Sequence, residues 1–208
     1  MDNQLIFEAC VESLDEAIAA EEAGAHRIEL CSALDQEGLS PSQELTLACL
    51  EQLSIPLMAM VRPRGGDFVY SEDEIREMEN EIDFFKEAGV AGVVFGLLTD
   101  LHFIDVVNLE RLVRRAHPLE ITFHKAIDYS YDVLKSFQEL NNIYGITRVL
   151  TSGGMDTAWH GRLVIKEMNE LPGRRIQVIA AGKITPENRD EIIEATGVTE
   201  LHGRHIVS

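Results

Sequence analysis

The feature that most constrains the fold is a regular alternation of short apolar runs with longer helix-like segments. Eight runs have strand character, at residues 5–9, 27–30, 57–61, 92–95, 120–124, 147–150, 177–180 and 200–202. Several of them are continuously apolar, which is typical of parallel strands that are buried on both faces. Each of the first seven runs is followed by enough chain for one crossover helix, so the pattern predicts repeated βα units.

Helix start and stop signals lie between these runs. Ser71 and Glu74 form a capping box, and Gly89 supplies a stop before the next run. Further helices are predicted near residues 105–116, 132–140 and 158–171. Neither a linker nor a low-complexity tract interrupts the 208 residues, so we expect a single domain over residues 1–208.

Eight βα units in a chain of this length predict a short (β/α)8 barrel of the TIM type. The chain ends soon after His202, so the eighth helix is expected to be missing or vestigial, with a homo-oligomer covering the gap. A doubly wound open sheet is the competing fold. The glycine-rich nucleotide fingerprint of that fold does not follow the first strand, which favours the barrel.

Composition excludes several classes of partner. The net charge is −18, from 36 acidic and 18 basic residues, and the basic residues are not clustered. Nucleic acid and anionic membrane surfaces are therefore not expected partners. No apolar run is long enough for a membrane span. Three cysteines and an acidic start without a secretory leader predict a reducing compartment, the cytoplasm.

Two strands end with a glutamate followed two residues later by a cysteine, Glu8 with Cys10 and Glu29 with Cys31. Residues two apart in a strand share a face. A glutamate inside an apolar strand is costly to bury without a partner. The two acids therefore predict either catalytic groups or structural ion pairs with arginines.

The third strand runs into a basic, glycine-rich segment. Arg62 and Arg64 lie two residues apart, and Gly65 and Gly66 follow them. Guanidinium groups bind carboxylates and phosphates well. The segment predicts an anion clamp, and the alternative is that its arginines neutralise the strand-end glutamates.

Later strands end with further polar residues and glycines. His124 ends the fifth strand and is expected to act as a general acid or base, with Asp128 or Glu29 orienting it or with Asp128 binding substrate. His202 or Glu8 is the expected catalytic partner. Turns containing Gly182 and Gly203 follow the seventh and eighth strands, where barrels of this type often bind phosphate.

The thiols Cys10 and Cys31 end neighbouring strands, so their sulfur atoms are expected to meet. Two thiolates suit a soft ion such as Cu(I), and Met58 and Met60 could add thioethers. Buried cysteine and methionine also serve as ordinary core residues. Both interpretations stay open on the chemistry alone.

The sequence resembles the copper homeostasis protein CutC family. The resemblance is carried by Glu8-Ala9-Cys10, by the run from Gly24 to Cys31, by Arg62-Pro63-Arg64-Gly65-Gly66-Asp67-Phe68, and by Thr122-Phe123-His124-Lys125-Ala126-Ile127-Asp128. It implies a TIM-type barrel and a role in copper tolerance or in cytosolic Cu(I) binding and trafficking, with Cys10 and Cys31 as the Cu(I) ligands.

The alternative function is an enzyme that acts on a small anionic metabolite, a carboxylate or a phosphate, at the C-terminal mouth of the barrel. Both functions require that the two acids, the two guanidinium groups and the imidazole of His124 converge in one space.

Overall fold

The computed structural model describes residues 4–207, which form a closed parallel barrel. Each strand is hydrogen-bonded to the next, and the eighth strand pairs with the first. The strands are β1 Ile6–Val11, β2 Arg27–Leu30, β3 Leu57–Met60, β4 Gly92–Phe95, β5 Glu120–Phe123, β6 Arg148–Thr151, β7 Gln177–Ala180 and β8 Glu200–Gly203. All eight predicted strands are present, and closure excludes the open sheet.

Seven α-helices connect the strands within residues 4–207. They are α1 Leu14–Glu22, α2 Gln43–Gln52, α3 Glu72–Ala88, α4 Val106–Ala116, α5 Val133–Asn142, α6 Arg162–Asn169 and α7 Arg189–Thr196. No eighth helix follows β8 in this part of the chain, as predicted, and the expected homo-oligomer stays a prediction. None of the described helices is both long enough and apolar enough to cross a membrane. Residues 1–3, part of the acidic start, lie outside the described residues.

Local sequence explains where the longest helix begins and ends. The Ser71 side chain accepts a hydrogen bond from the Glu74 backbone, and the Glu74 side chain accepts one from the Ser71 backbone. This capping box satisfies two amides that would otherwise be free at the start of α3. Gly89 ends the helix at φ 88°, a left-handed conformation that glycine adopts without steric cost.

The two faces of the barrel wall differ in character. The outer faces of the strands and the helices share one large apolar core, which includes Ile28, Phe85 and Leu109. The inner faces carry two small apolar clusters, one around the thiols and one around Leu150 and Ile179. Charged and polar side chains, among them Glu8, Arg27 and Glu29, fill much of the remaining interior.

Candidate functional site

A cavity of about 310 Å³ opens at the C-terminal ends of the strands. This is the end of the barrel at which loops following the strands meet. Seven of the residues predicted for the site border it, namely Cys10, Glu29, Arg62, His124, Gly182, His202 and Gly203. These seven predicted residues therefore converge on one cavity, although several of their contacts differ from those expected.

The two strand-end thiols meet at the cavity floor. The sulfur atoms of Cys10 and Cys31 are 3.8 Å apart, and both cysteines are free thiols. Cys10 borders the cavity, whereas Cys31 is fully buried behind it. Met58 and Met60 pack against the pair in the same apolar cluster. The predicted convergence of these four sulfur-containing side chains is therefore present.

Glu29 lies beside both thiols. Its Oε1 atom is 3.6 Å from the Cys10 sulfur and 3.4 Å from the Cys31 sulfur. Its Oε2 atom is buried and has no hydrogen-bond partner among the described residues. Burial raises the pKa of the Glu29 carboxyl, against the attraction of His202. Neither Arg62 nor another arginine forms an ion pair with Glu29 in this part of the chain.

Glu8 forms the structural ion pair that was the alternative to catalysis. It is fully buried, its Oε2 accepts a hydrogen bond from Arg27 Nε, and its Oε1 is 2.8 Å from His202 Nδ1. Burial alone would raise the pKa of Glu8, but the Arg27 charge and the His202 contact lower it. The arginine therefore holds an ionised carboxylate against the imidazole of His202.

The same network shifts the pKa values of the two thiols in opposite directions. A hydrogen bond from Cys31 lowers the pKa of Cys10 against the effect of burial, and His202 lowers it further. The hydrogen bond to Cys10 and burial raise the pKa of Cys31. Burial opposes charge on His202, but Glu29, Cys10 and Glu8 together raise its pKa. Cys10 is therefore the thiol that ionises first.

His124 sits on the opposite wall of the cavity, at the end of β5. Its Nδ1 accepts a hydrogen bond from the Ala126 backbone at 3.2 Å, and its Nε2 is buried without a partner among the described residues. Gly96 makes room for the ring, since a Cβ there would lie 2.5 Å from His124 Nδ1. Burial and the Arg62 charge lower the pKa of His124 to about 3, so the ring is neutral near pH 7.

The expected anion clamp is wrong in its geometry. Arg62 is 1% exposed, and its terminal nitrogens donate to the backbone carbonyls of Gln36, Glu37, Gly38 and Gly66. These bonds fix the loops after β2 and β3. β3 ends before Arg62, and the buried guanidinium satisfies three carbonyl groups of the loop after β2 and one, that of Gly66, of the loop after β3.

Arg64 points away from the cavity. It pairs with Glu74 at 2.5 Å and with Asp67 at 3.0 Å, and it donates to the carbonyl oxygen of Val69. Neither Gly65 nor Gly66 borders the cavity. Residues two apart share a face only in an extended strand, and β3 ends before Arg62, so the arginine pair diverges.

Asp128 does not orient His124. Its carboxylate accepts hydrogen bonds from Thr151 Oγ1, from the backbone and hydroxyl of Ser152, and from the Gly154 backbone. Asp128 therefore fixes the loop after β6. His124 is held by Ala126 and Gly96 instead, and Glu29 contacts the thiols rather than this histidine.

The rim of the cavity carries three cations, of which Lys125 was given no role in the site by the sequence analysis. Lys125, Lys183 and Arg204 border it, together with Glu37 and Tyr129. Lys125 donates to Ser152 at 2.8 Å, and Arg204 pairs with Glu12 at 3.0 Å. Their positions directly after strands β5, β7 and β8 were the available signal.

The two predicted phosphate-turn glycines have a packing reason. A Cβ at Gly203 would lie 2.6 Å from the Ile184 carbonyl oxygen, and one at Gly182 would lie 3.0 Å from the Ser152 Cβ. Gly182 also has φ 106°. Close approach and backbone conformation therefore require glycine at these positions, whatever the cavity binds.

Comparison with known proteins agrees with this geometry. The family model described as "CutC family" matches residues 5–207. A human protein named copper homeostasis protein cutC homolog is 40% identical over 200 residues, covering 96% of this chain and 73% of the human protein. A family protein CutC from Glaesserella parasuis is 42% identical over 195 residues, covering 94% of this chain and 80% of that protein.

A solved structure shows the same architecture. The crystal structure titled as a copper homeostasis protein CutC from Streptococcus agalactiae has a TM-score of 0.92 and 32% identity, and the match covers 98% of this chain and all of that one. The matching family model, the identity to named relatives and the shared barrel lead to one conclusion. This chain belongs to the CutC copper homeostasis family.

Proposed function

We propose that the chain binds one Cu(I) ion between Cys10 and Cys31 and serves copper homeostasis by holding that ion reversibly. The observation that carries the proposal is the 3.8 Å separation of the two free sulfur atoms. A metal–sulfur bond is about 2.3 Å long in thiolate sites, so one ion can reach both sulfurs without a movement of the strands.

The surrounding atoms suit a soft monovalent ion. Thiolate and thioether sulfur favour Cu(I) over hard cations, and the Met60 side chain packs against the thiol pair. Cys10, Glu29 and Cys31 each offer a ligand atom, and these atoms lie within 4.8 Å of one another. Glu29 Oε1, at 3.6 Å from the Cys10 sulfur and 3.4 Å from the Cys31 sulfur, offers the ion a third donor.

The positions of the two thiols relative to the cavity suit a copper ion that is taken up and released. Cys10 faces the cavity while Cys31 is fully buried, so an ion arrives from the mouth of the barrel and meets Cys10 first. The network around Cys10 favours its thiolate, which is the form that binds metal. Free thiols persist in a reducing compartment, which supports action in the cytoplasm.

A competition titration tests the proposal. Cu(I) is titrated under reducing, anaerobic conditions against a chromophoric Cu(I) chelator, with wild type, Cys10→Ser, Cys31→Ser and Cys49→Ser. Cys49 is a buried cysteine in α2, away from the cavity, and serves as the matched control. We expect one ion per chain in wild type and in Cys49→Ser, and at least tenfold weaker binding in the other two. Unchanged affinity in Cys10→Ser contradicts the proposal.

A second candidate function is turnover of a small anionic metabolite in the same cavity. The observation that favours it is the contact of His202 Nδ1 with the buried carboxylate of Glu8 at 2.8 Å, because an imidazole fixed by a carboxylate is a common acid–base arrangement. Mass spectrometry of a metabolite mixture incubated with wild type and with His202→Gln tests it. A product formed by both proteins at equal rates removes His202 from the chemistry.

A further inference from the structure

Two buried polar atoms, in residues that border the cavity, are used neither by copper binding nor by the ion-pair network. His124 Nε2 and Arg62 Nε both lack hydrogen-bond partners among the described residues. His124 is 4% exposed, Arg62 is 1% exposed, and both border the cavity. A buried polar atom without a partner costs roughly 1–3 kcal/mol, so a ligand that pairs with both atoms gains binding energy.

The hydrogen-bonding role of His124 follows from its other nitrogen. Nδ1 accepts from the Ala126 backbone, so it carries no proton. The neutral ring then places its proton on Nε2, the unpartnered atom. His124 therefore offers the cavity a donor.

Arg62 offers a second donor from the neighbouring wall. Its terminal nitrogens are occupied by the loop carbonyls, including Gln36 and Gly66. Its Nε–H has no partner, and the buried Tyr70 hydroxyl near the same guanidinium also has none among the described residues. The guanidinium carbon lies 4.8 Å from the centre of the Phe68 ring, and that ring lies 5.1 Å from the His124 ring. Both donors thus lie beside the Phe68 ring. A ligand atom that accepts hydrogen bonds would give them a partner.

The charge at the cavity agrees with a negative ligand. The chain has a net charge of −18, yet four cations border the cavity, Arg62, Lys125, Lys183 and Arg204, against two acids, Glu29 and Glu37. Within residues 4–207, the Lys183 ammonium makes no ion pair. Lys125 pairs with Asp128 and Arg204 pairs with Glu12, so Lys183 is the bordering cation best placed to attract small anions.

We propose that the cavity binds a small molecule through a carboxylate or phosphate group, whose oxygen accepts hydrogen bonds from His124 Nε2 and Arg62 Nε while Lys183 contacts its charge. The proposal rests on the second candidate function, since the bound molecule is the substrate of that function. It adds a specific recognition element on the wall opposite the thiols.

Calorimetric titration of the full chain with inorganic phosphate and with malonate tests the proposal. The key variant is His124→Asn, because the Asn side-chain oxygen can replace Nδ1 as the acceptor for Ala126 while the Nε2 donor is lost. Lys183→Met removes the free cation, and Lys135→Met, at a lysine that is 78% exposed in α5, is its matched control.

We expect wild type and Lys135→Met to bind at least one probe equally, and His124→Asn to bind it ~10-fold or more weakly. Lys183→Met should weaken binding severalfold, with a smaller dependence on salt. If His124→Asn does not fold, the NMR signal of the His124 Nε2 proton in wild type replaces it and should shift when the probe is added.

The outcomes distinguish the proposed anion-binding element from the second candidate function. The tighter probe identifies the group as phosphate or carboxylate. Binding with no turnover of any metabolite supports the recognition element and counts against the second candidate function. Absence of binding of both probes to wild type, equal binding by His124→Asn, or an unmoved Nε2 proton overturns the proposal.

Discussion

The ion pair between Arg27 and Glu8 gives the sharpest prediction about stability. Glu8 is fully buried, and Arg27 is 5% exposed. Arg27 donates to Glu8 through Nε and to Glu200 through Nη2 at 2.6 Å. Arg27→Met removes both charge-assisted hydrogen bonds but fills a similar volume. It leaves the Glu8 carboxylate inside the barrel with His202 as its remaining partner.

Two arguments give the size of the loss of unfolding free energy in Arg27→Met. Hydrogen bonds to charged groups contribute roughly 1.5–3 kcal/mol each, and Arg27 makes two with carboxylates. Removal of one partner of a buried pair costs roughly 3–5 kcal/mol. We therefore expect Arg27→Met to lose about 4 kcal/mol of unfolding free energy, or on the order of 10 °C in Tm for a domain of this size.

A double-mutant cycle measures the coupling. Urea unfolding of Arg27→Met, Glu8→Gln and the double variant should show that the double variant loses less than the sum of the single losses, because no uncompensated charge is left. Arg115→Met is the control, since Arg115 pairs with Asp83 at the surface, 46% and 36% exposed, and its loss should lower stability far less than Arg27→Met does. Additive losses, or a cost for Arg27→Met as small as the control's, refute the reasoning.

Two further predictions concern other parts of the fold. Burial raises the pKa of Glu81 to about 7, against a 2.7 Å hydrogen bond from Ser40, so the folded state holds a proton that the unfolded state releases near pH 4.5. Stability should therefore fall by on the order of 3 kcal/mol as pH rises from about 4.5 to 7. The urea midpoints of Glu81→Gln should change less with pH than those of wild type, and identical profiles contradict this. Gly161→Ala would place a Cβ 1.8 Å from the Ser152 carbonyl oxygen, so we expect the free energy of unfolding to fall by more than about 3 kcal/mol. Gly24→Ala has open space around its Cβ and φ 94°, so its free energy of unfolding should fall by about 1 kcal/mol. Equal Tm values for the two glycine variants would show that the close approach at Gly161 is not rigid.

The barrel could be predicted from the sequence because each strand carries its own local signal. The apolar runs alternate with helices that stop at glycines such as Gly89 and Gly197, and eight such parallel units fit a closed barrel. Closure then brings the strand ends together, so the meeting of Cys10 and Cys31 followed from the strand order and the two-residue alternation alone.

Side chains beyond the strand ends could not be placed in the same way. Arg62 and Arg64 follow β3, where the backbone turns and the alternation no longer applies. Their partners, the carbonyl oxygen of Gly38 and the carboxylate of Glu74, come from other loops and helices. The same limit applies to Asp128, whose partners lie at the end of β6 and in the loop after it. Such contacts depend on loop conformations that no local periodicity encodes.

The central claim, a Cu(I) site made by two thiolates on the cavity floor, is tested most directly by X-ray absorption spectroscopy of the copper-loaded protein. Two sulfur neighbours of copper in wild type and in Cys49→Ser, with one of them lost in Cys31→Ser, is the expected result. A first shell of nitrogen and oxygen atoms, or a spectrum that is unchanged in Cys31→Ser, contradicts the account.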